Sequence, residues 1–145
     1  MDFVRVYNEA LPLLLAGIKM TVLISLIALA IGMALGLVSC LLSISKNVIL
    51  RFISGVYIWI IRGTPMIVQA FIIYFGMPQL IQKLINPAFR LDPFTAGIIT
   101  LSLNAGAYLS EIFRGGIQAV NKGQKEAARS LGLSEARTLF KIVLP

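Results

Sequence analysis

Between Phe94 and Phe113 the chain carries a single charged side chain, Glu111. Thr100, Asn104 and Tyr108 precede it at intervals of four, four and three, which lines all four along one side of a helix. Polar groups inside an apolar helix are expensive unless they face a cavity, a partner or one another. The chemistry open to such a row is recognition of a polar solute, and Glu111 could meet an ammonium group. The competing reading is a structural bridge from Glu111 to Arg62 or Arg114. Further back, Arg62-Gly63-Thr64-Pro65 is followed by Gln69, five residues after Thr64. Gln69 could hydrogen-bond between helices or touch solute.

A second set of residues lies near the end of the chain. Gly123-Gln124, Glu126-Ala127-Ala128, Gly132, Ile142, Leu144 and Pro145 are spaced as GQ-x-EAA-x3-G-x9-I-x-L-P. Gln124 to Leu131 is expected to form a short helix, with Ala127, Ala128 and Leu131 on one face kept small by alanine. Glu126 and Arg129 are three apart and could pair. Gly132 is placed to take the left-handed conformation that ends a helix. Ser134 can then cap a second helix, with Glu135 in its first turn. In that helix Ala136, Leu139, Phe140 and Val143 form a stripe that needs a cover, and Leu144-Pro145 is expected to turn the chain back toward a bilayer. Taken alone, this is also the pattern of an amphipathic hairpin on a membrane surface.

The elements that carry these residues follow from composition. Of the 145 residues 58% are hydrophobic and 13% are charged, and the mean hydropathy is +0.89. Soluble domains carry about 25% charge, so a bilayer must be the solvent for much of the chain. The net charge of +7 sits between apolar runs and reads as a membrane bias rather than a nucleic-acid surface. One cysteine, Cys40, and no histidine exclude an internal disulfide and argue against a Cys/His metal site.

Met20 to Leu42 holds no charge in 23 residues, enough at about 1.5 Å per residue to cross a core of about 30 Å. Ala28, Gly32 and Gly36 recur every four residues on one face, as expected where another helix approaches closely. Ser43 to Asn47 is a polar turn. Residues 48–61 read as an interfacial helix with an apolar stripe and with Tyr57 and Trp59 at the headgroups. Thr64 is placed to cap, and Pro65 to open, a second span over 65–84, which Gly76 and Pro78 are expected to kink. The alternative runs one span straight through Arg62, at a cost of about 2.5–3.5 kcal/mol or more. After a polar loop, Asp92-Pro93 supplies a cap and a first-turn proline. The third span is expected at 94–113, ended by Arg114-Gly115-Gly116, and the cytoplasmic segment at 121–145. Everything belongs to one transmembrane domain.

Lys and Arg distribution gives the orientation. Lys46, Arg51, Arg62, Arg114, Lys122, Lys125, Arg129, Arg137 and Lys141 fall on one side of that arrangement, and Arg5, Lys83 and Arg90 on the other. The richer side is cytoplasmic. The N-terminus is then outside and the EAA segment inside.

The chain resembles the permease subunits of polar amino-acid ABC importers, the group that carries histidine, glutamine, arginine and cystine. Arg62-Gly63-Thr64-Pro65 with Gln69 resembles the group's RGTP-x3-Q. Tyr108 to Gln118 resembles its Y-x2-E-x-F-R-G-G-I-Q run, and Gly123 to Ala128 its GQ-x-EAA. Asn121 departs from the pattern, where the group usually has proline. The resemblance implies an all-α integral membrane protein with part of the type I importer permease fold. It has three transmembrane helices, an interfacial helix and cytoplasmic coupling helices that dock an ABC ATPase. It implies a second permease subunit, identical or paralogous, and an extracytoplasmic amino-acid-binding protein as partners, in the bacterial cytoplasmic (inner) membrane. ATP and Mg would sit on the ATPase, since no G-x4-GK-[ST] occurs in the chain and no cofactor is expected on it. The chain would be a transport subunit and not an enzyme. Members of the group usually carry two further spans after the LP pair, so this sequence reads as the N-terminal part of a longer permease or as a degenerate product. A non-transporting three-span subunit that binds an ATPase is the competing function.

Overall fold

The structure, a computed structural model, describes residues 3–143. It is helical, with no strand among the described residues. The first helix, α1, runs Phe3–Ser43. It is far longer than the charge-free stretch because nothing between Phe3 and Met20 stops a helix except Pro12, which it accommodates in its interior. Its N-terminal half is bare: Leu13, Leu14 and Ile18 are exposed.

After a break at residues 44–47, α2 runs Val48–Gly63. The Asn47 side chain caps it by accepting from the Ile49 amide at 2.9 Å. Its apolar stripe (Ile49, Phe52, Ile53, Val56, Ile60) faces outward, and Ser54 faces inward. Tyr57 also turns inward. Its hydroxyl donates to the Leu103 carbonyl at 2.7 Å, so it points at the helix Pro93–Ala119 rather than out along the stripe. A partly buried phenol usually finds a hydrogen-bond partner, and here a backbone carbonyl supplies it.

At Gly63–Pro65 the chain turns by 107° into the arm Met66–Leu84. A straight span through Arg62 is therefore not formed. Thr64 is not the cap expected: it ends α2 in an extended conformation, and Pro65 precedes the next helix without a side-chain cap. The arm comprises α3 (Met66–Phe71), a π turn (Ile72–Gly76) and α4 (Met77–Leu84). In the π turn the Met77 amide reaches back five residues to the Ile72 carbonyl. Pro78 has no amide to donate and crowds the carbonyl four residues before it, so widening the preceding turn relieves both problems.

Asp92 caps α5, accepting from the Thr95 amide at 3.0 Å. Hydrogen bonding from Thr95 holds the Asp92 carboxyl below its ordinary pKa. The helix spans Pro93–Ala119, so Arg114-Gly115-Gly116 does not end it. Glycine costs about 1 kcal/mol in a helix interior, but burial of Ile117 against Cys40, with Phe113 and Val120 around them, offsets that cost.

The fold is centred on α1 against α5. A β-carbon on Gly32 would stand 2.9 Å from the Ala105 Cβ, and one on Gly36 would stand 2.8 Å from the Leu109 Cβ. One on Gly106 would meet the Leu35 Cβ at 3.0 Å. The backbones approach because these side chains are absent, as the small-residue spacing predicts. Cys40 continues the row and is fully buried. Stretches Tyr7–Ser43 and Pro93–Ala119 are each long and apolar enough to cross a membrane, and the bent pair Val48–Gly63 and Met66–Leu84 together qualifies as a third.

The segment that carries the EAA pattern forms α6 (Lys122–Ser130), α7 (Glu135–Thr138) and a π turn (Leu139–Val143). Asn121, the departure from the family pattern, caps α6 by accepting from the Gly123 amide at 2.8 Å. Leu144 and Pro145, and the side chains of Ala136, Phe140 and Val143, lie outside the described residues, and with them most of the expected stripe and the turn toward the bilayer.

Candidate functional site

The polar residues of the membrane region gather at the corner where α2, α3 and α5 meet. Gln69 is the hub. Its Nε2 donates to the Ile61 carbonyl at 2.7 Å and to the Thr64 hydroxyl and carbonyl at 2.9 and 3.0 Å. Its Oε1 accepts from Asn104 at 3.4 Å. The Ile61 carbonyl belongs to the last turn of α2, where carbonyls have no intrahelical partner. The Gln69 side chain thus closes the end of one helix from the start of the next and ties both to α5. It is buried, with 7% of its surface exposed.

Glu111 is the second hub. Arg114, one turn on, donates to both carboxylate oxygens at 2.9 and 2.7 Å. Arg62, from α2, stands 3.4 Å from the same carboxylate, and its guanidinium lies over the Tyr108 ring at 5.2 Å. The geometry is that of the structural bridge, made to both candidate arginines. Thr100 stands apart from this cluster. Its hydroxyl is buried and donates to the Ala96 carbonyl of its own helix at 2.8 Å, beside an apolar cavity of about 330 Å³ between α3 and α5.

Between α2 and α5 lies a larger cavity of about 580 Å³, walled by Arg51, Trp59, Arg62, Tyr108, Glu111 and Arg114. Its lining is charged and aromatic, and Tyr108 and Glu111 of the polar row face it.

The EAA segment is built as a helix, a glycine stop and a second helix. Gly132 has φ +81°. Its amide donates to the Arg129 carbonyl at 2.9 Å, and the Leu133 amide to the Ala128 carbonyl at 3.1 Å, which is the two-bond stop that favours glycine. The expected small face divides. Ala128 is buried against the chain itself, whereas Ala127 is exposed and Leu131 is 82% exposed. Positions i and i+1 differ by about 100° around a helix, so a hairpin packed on its own spans can cover only one of them. Gly123, Gln124 and Glu126 are also exposed.

Three contacts have no expectation behind them. The Ser54 hydroxyl donates to the Ser39 carbonyl at 2.7 Å, with the two hydroxyls 2.8 Å apart. Tyr57 reaches Leu103, and Lys125 Nζ donates to the Ile117 carbonyl at 3.2 Å. The row of small residues at four-residue spacing could have pointed to Ser39, which sits beside it. Nothing in the spacing points to Lys125.

The fold and the hairpin define a helical membrane protein with a stopped helix and a second short helix after its last long span. The sequence pattern of the "Binding-protein-dependent transport system inner membrane component" family matches residues 28–145, and the chain belongs to that family. It is similar to the glutamine transport system permease protein GlnP of Escherichia coli (strain K12), 41% identical over 136 residues, covering 94% of this chain and 60% of GlnP. The arginine transport system permease protein ArtQ of Bacillus subtilis (strain 168) is 41% identical over 135 residues, covering 93% of this chain and 59% of ArtQ. A solved structure described as an amino acid ABC transporter with histidines superposes with a TM-score of 0.84 at 37% identity, over 100% of this chain and 64% of that one. The chain thus spans about three-fifths of the length of the curated relatives it matches.

Proposed function

We propose that the chain is the membrane-spanning portion of an ABC importer that moves a polar amino acid across the bacterial cytoplasmic membrane. In this reading α6 and the helix after it dock an ABC ATPase, which alone handles ATP and Mg. A second permease subunit completes the pathway, and an extracytoplasmic binding protein delivers the solute. The N-terminus lies outside and the hairpin inside, as the Lys and Arg distribution argues.

The observation that carries the reading is the hairpin's construction. The residues of the EAA pattern form a stopped helix that is fastened to the end of α5 at one face and leaves Ala127 and Leu131 uncovered at the other. A small alanine beside an exposed leucine suits a partner's groove. Glu111 enters the reading as a positioning residue that holds α2 to α5, and Tyr108 is the most exposed polar residue of the row, at 47%. Names of relatives that transport glutamine and arginine support a polar amino acid as solute.

The test is capture of the cognate ATPase by the full protein in detergent. Ala127→Trp should abolish capture while the protein still elutes as the wild type does. Retained capture would overturn the docking assignment. Uptake of labelled amino acid in vesicles containing the binding protein separates transport from a non-transporting ATPase-binding subunit, which would capture the ATPase and move nothing.

A further inference from the structure

We infer that the groove between α2 and α5, floored by Gly55 and walled by Arg51, Arg62 and Arg114, binds the phosphate of an anionic phospholipid from the cytoplasmic leaflet.

Charge is the first argument. Three guanidiniums face this cavity and one carboxylate does. Both oxygens of Glu111 are taken by Arg114, with Arg62 beside them. The Arg51 guanidinium has no ion-pair or hydrogen-bond partner among the described residues; the backbone amide of Arg51 donates to the Asn47 carbonyl. The groove therefore carries two uncompensated positive charges. Arg62 and Arg114 are 41% and 38% exposed, so each keeps N–H donors free beyond those used on Glu111.

Shape is the second. A β-carbon on Gly55 would meet nothing within 4 Å. The missing side chain, one turn after Arg51 and one before Trp59, leaves a floor open between them. The volume of about 580 Å³ falls within the range of about 300–1,000 Å³ usual for small-molecule sites.

Surroundings are the third. Trp59 borders the groove and is 78% exposed, and the outward stripe of α2 continues with Phe52 at 69%. An indole prefers headgroup depth, and an apolar stripe beside basic residues suits the acyl boundary. Basic pockets between membrane helices on the cytoplasmic side suit anionic headgroups. The side of the membrane rests on the orientation proposed above; the charge and shape of the groove do not.

Trp59 is the only tryptophan of the chain and reports on the groove directly. The experiment titrates the full protein in neutral detergent with brominated phosphatidylglycerol or brominated phosphatidylcholine and follows quenching of Trp59 fluorescence. Saturable quenching by the phosphatidylglycerol at lower concentration than the phosphatidylcholine is expected. Arg51→Gln should weaken it about five-fold, the effect of one guanidinium near a charged headgroup. Gly55→Leu should abolish it with every charge intact, which guards against an Arg51 variant that merely loosens the fold. Equal quenching by the two lipids, or an unchanged titration in both variants, would overturn the inference. So would full displacement of the phosphatidylglycerol by millimolar inorganic phosphate, which would assign the groove to a soluble anion. ATPase capture plays no part in this readout, so the lipid site and the transport reading can fail separately.

Discussion

Lys125 Nζ donates to the Ile117 carbonyl at 3.2 Å, so a residue of the EAA segment closes the end of α5. The carbonyls of a helix's last turn lack partners and carry the negative end of its dipole, and an ammonium group answers both. This contact, with Leu139 packed against Cys40 and Ile117, makes the hairpin an extension of the membrane helices. Lys125→Met keeps the stem and removes the donor. Such a bond contributes about 0.5–1.5 kcal/mol, so amide exchange across residues 122–131 should quicken by a few-fold to about ten-fold. Unchanged exchange would mean that packing alone holds the hairpin.

Gln69→Leu keeps the side chain's bulk and removes the donor that the half-buried Ile61 carbonyl accepts from, while the exposed Thr64 keeps its hydroxyl bond to the Ile60 carbonyl. Losing such a hydrogen bond costs about 0.5–1.5 kcal/mol. Thermal unfolding followed by circular dichroism in detergent should show a destabilised protein. If the variant melted with the wild type, water or another donor would have to satisfy the corner.

Gly36→Val tests the α1–α5 contact. Its first added atom would stand 2.8 Å from the Leu109 Cβ and 3.0 Å from the Gly106 carbonyl oxygen, and overpacking of this kind costs about 1–3 kcal/mol. Gly97→Ala is the control on α5, where an added β-carbon meets nothing within 4 Å. The two variants should part clearly in melting temperature, and equal melting would refute the close approach.

Glu111→Gln separates the two roles open to that carboxylate. As a bridge to Arg114 and Arg62, which are 38% and 41% exposed, its loss should destabilise by about 1 kcal/mol, the upper end for solvent-accessible ion pairs, with apparent affinity for solute in uptake unchanged. Intact stability with weakened affinity would move Glu111 into the pathway.

Much of the fold was legible in the chain because the signals were local. Asp92-Pro93 started a helix, Gly132 stopped one, and Gly32 and Gly36 marked a close approach; each depends on residues within one or two turns. The failures were of another kind. Arg114-Gly115-Gly116 has poor helix propensity, yet α5 continues, because Cys40 lies against Ile117 from 77 positions away in sequence. Tyr57 lies on the same sequence stripe as Phe52 and Ile53, yet it turns inward to the Leu103 carbonyl, 46 positions away.

By itself the sequence determined that this chain must live in a bilayer, which side of it the basic residues favour, and which short segment carries the EAA pattern. These are matters of composition and spacing, readable without contacts. Only the tertiary structure decided that Gln69 serves the end of α2, that Glu111 holds two arginines, and that Ala128 turns in while Ala127 stays out. Those outcomes depend on which polar atom lies within about 3 Å of which other. The Glu111–Arg114 pair lies three residues apart on one helix and was open to a local reading. The reach of Gln69 across the 107° corner, of Arg62 to Glu111 and of Ala128 into the chain is set by the tertiary packing, and no short window contains it.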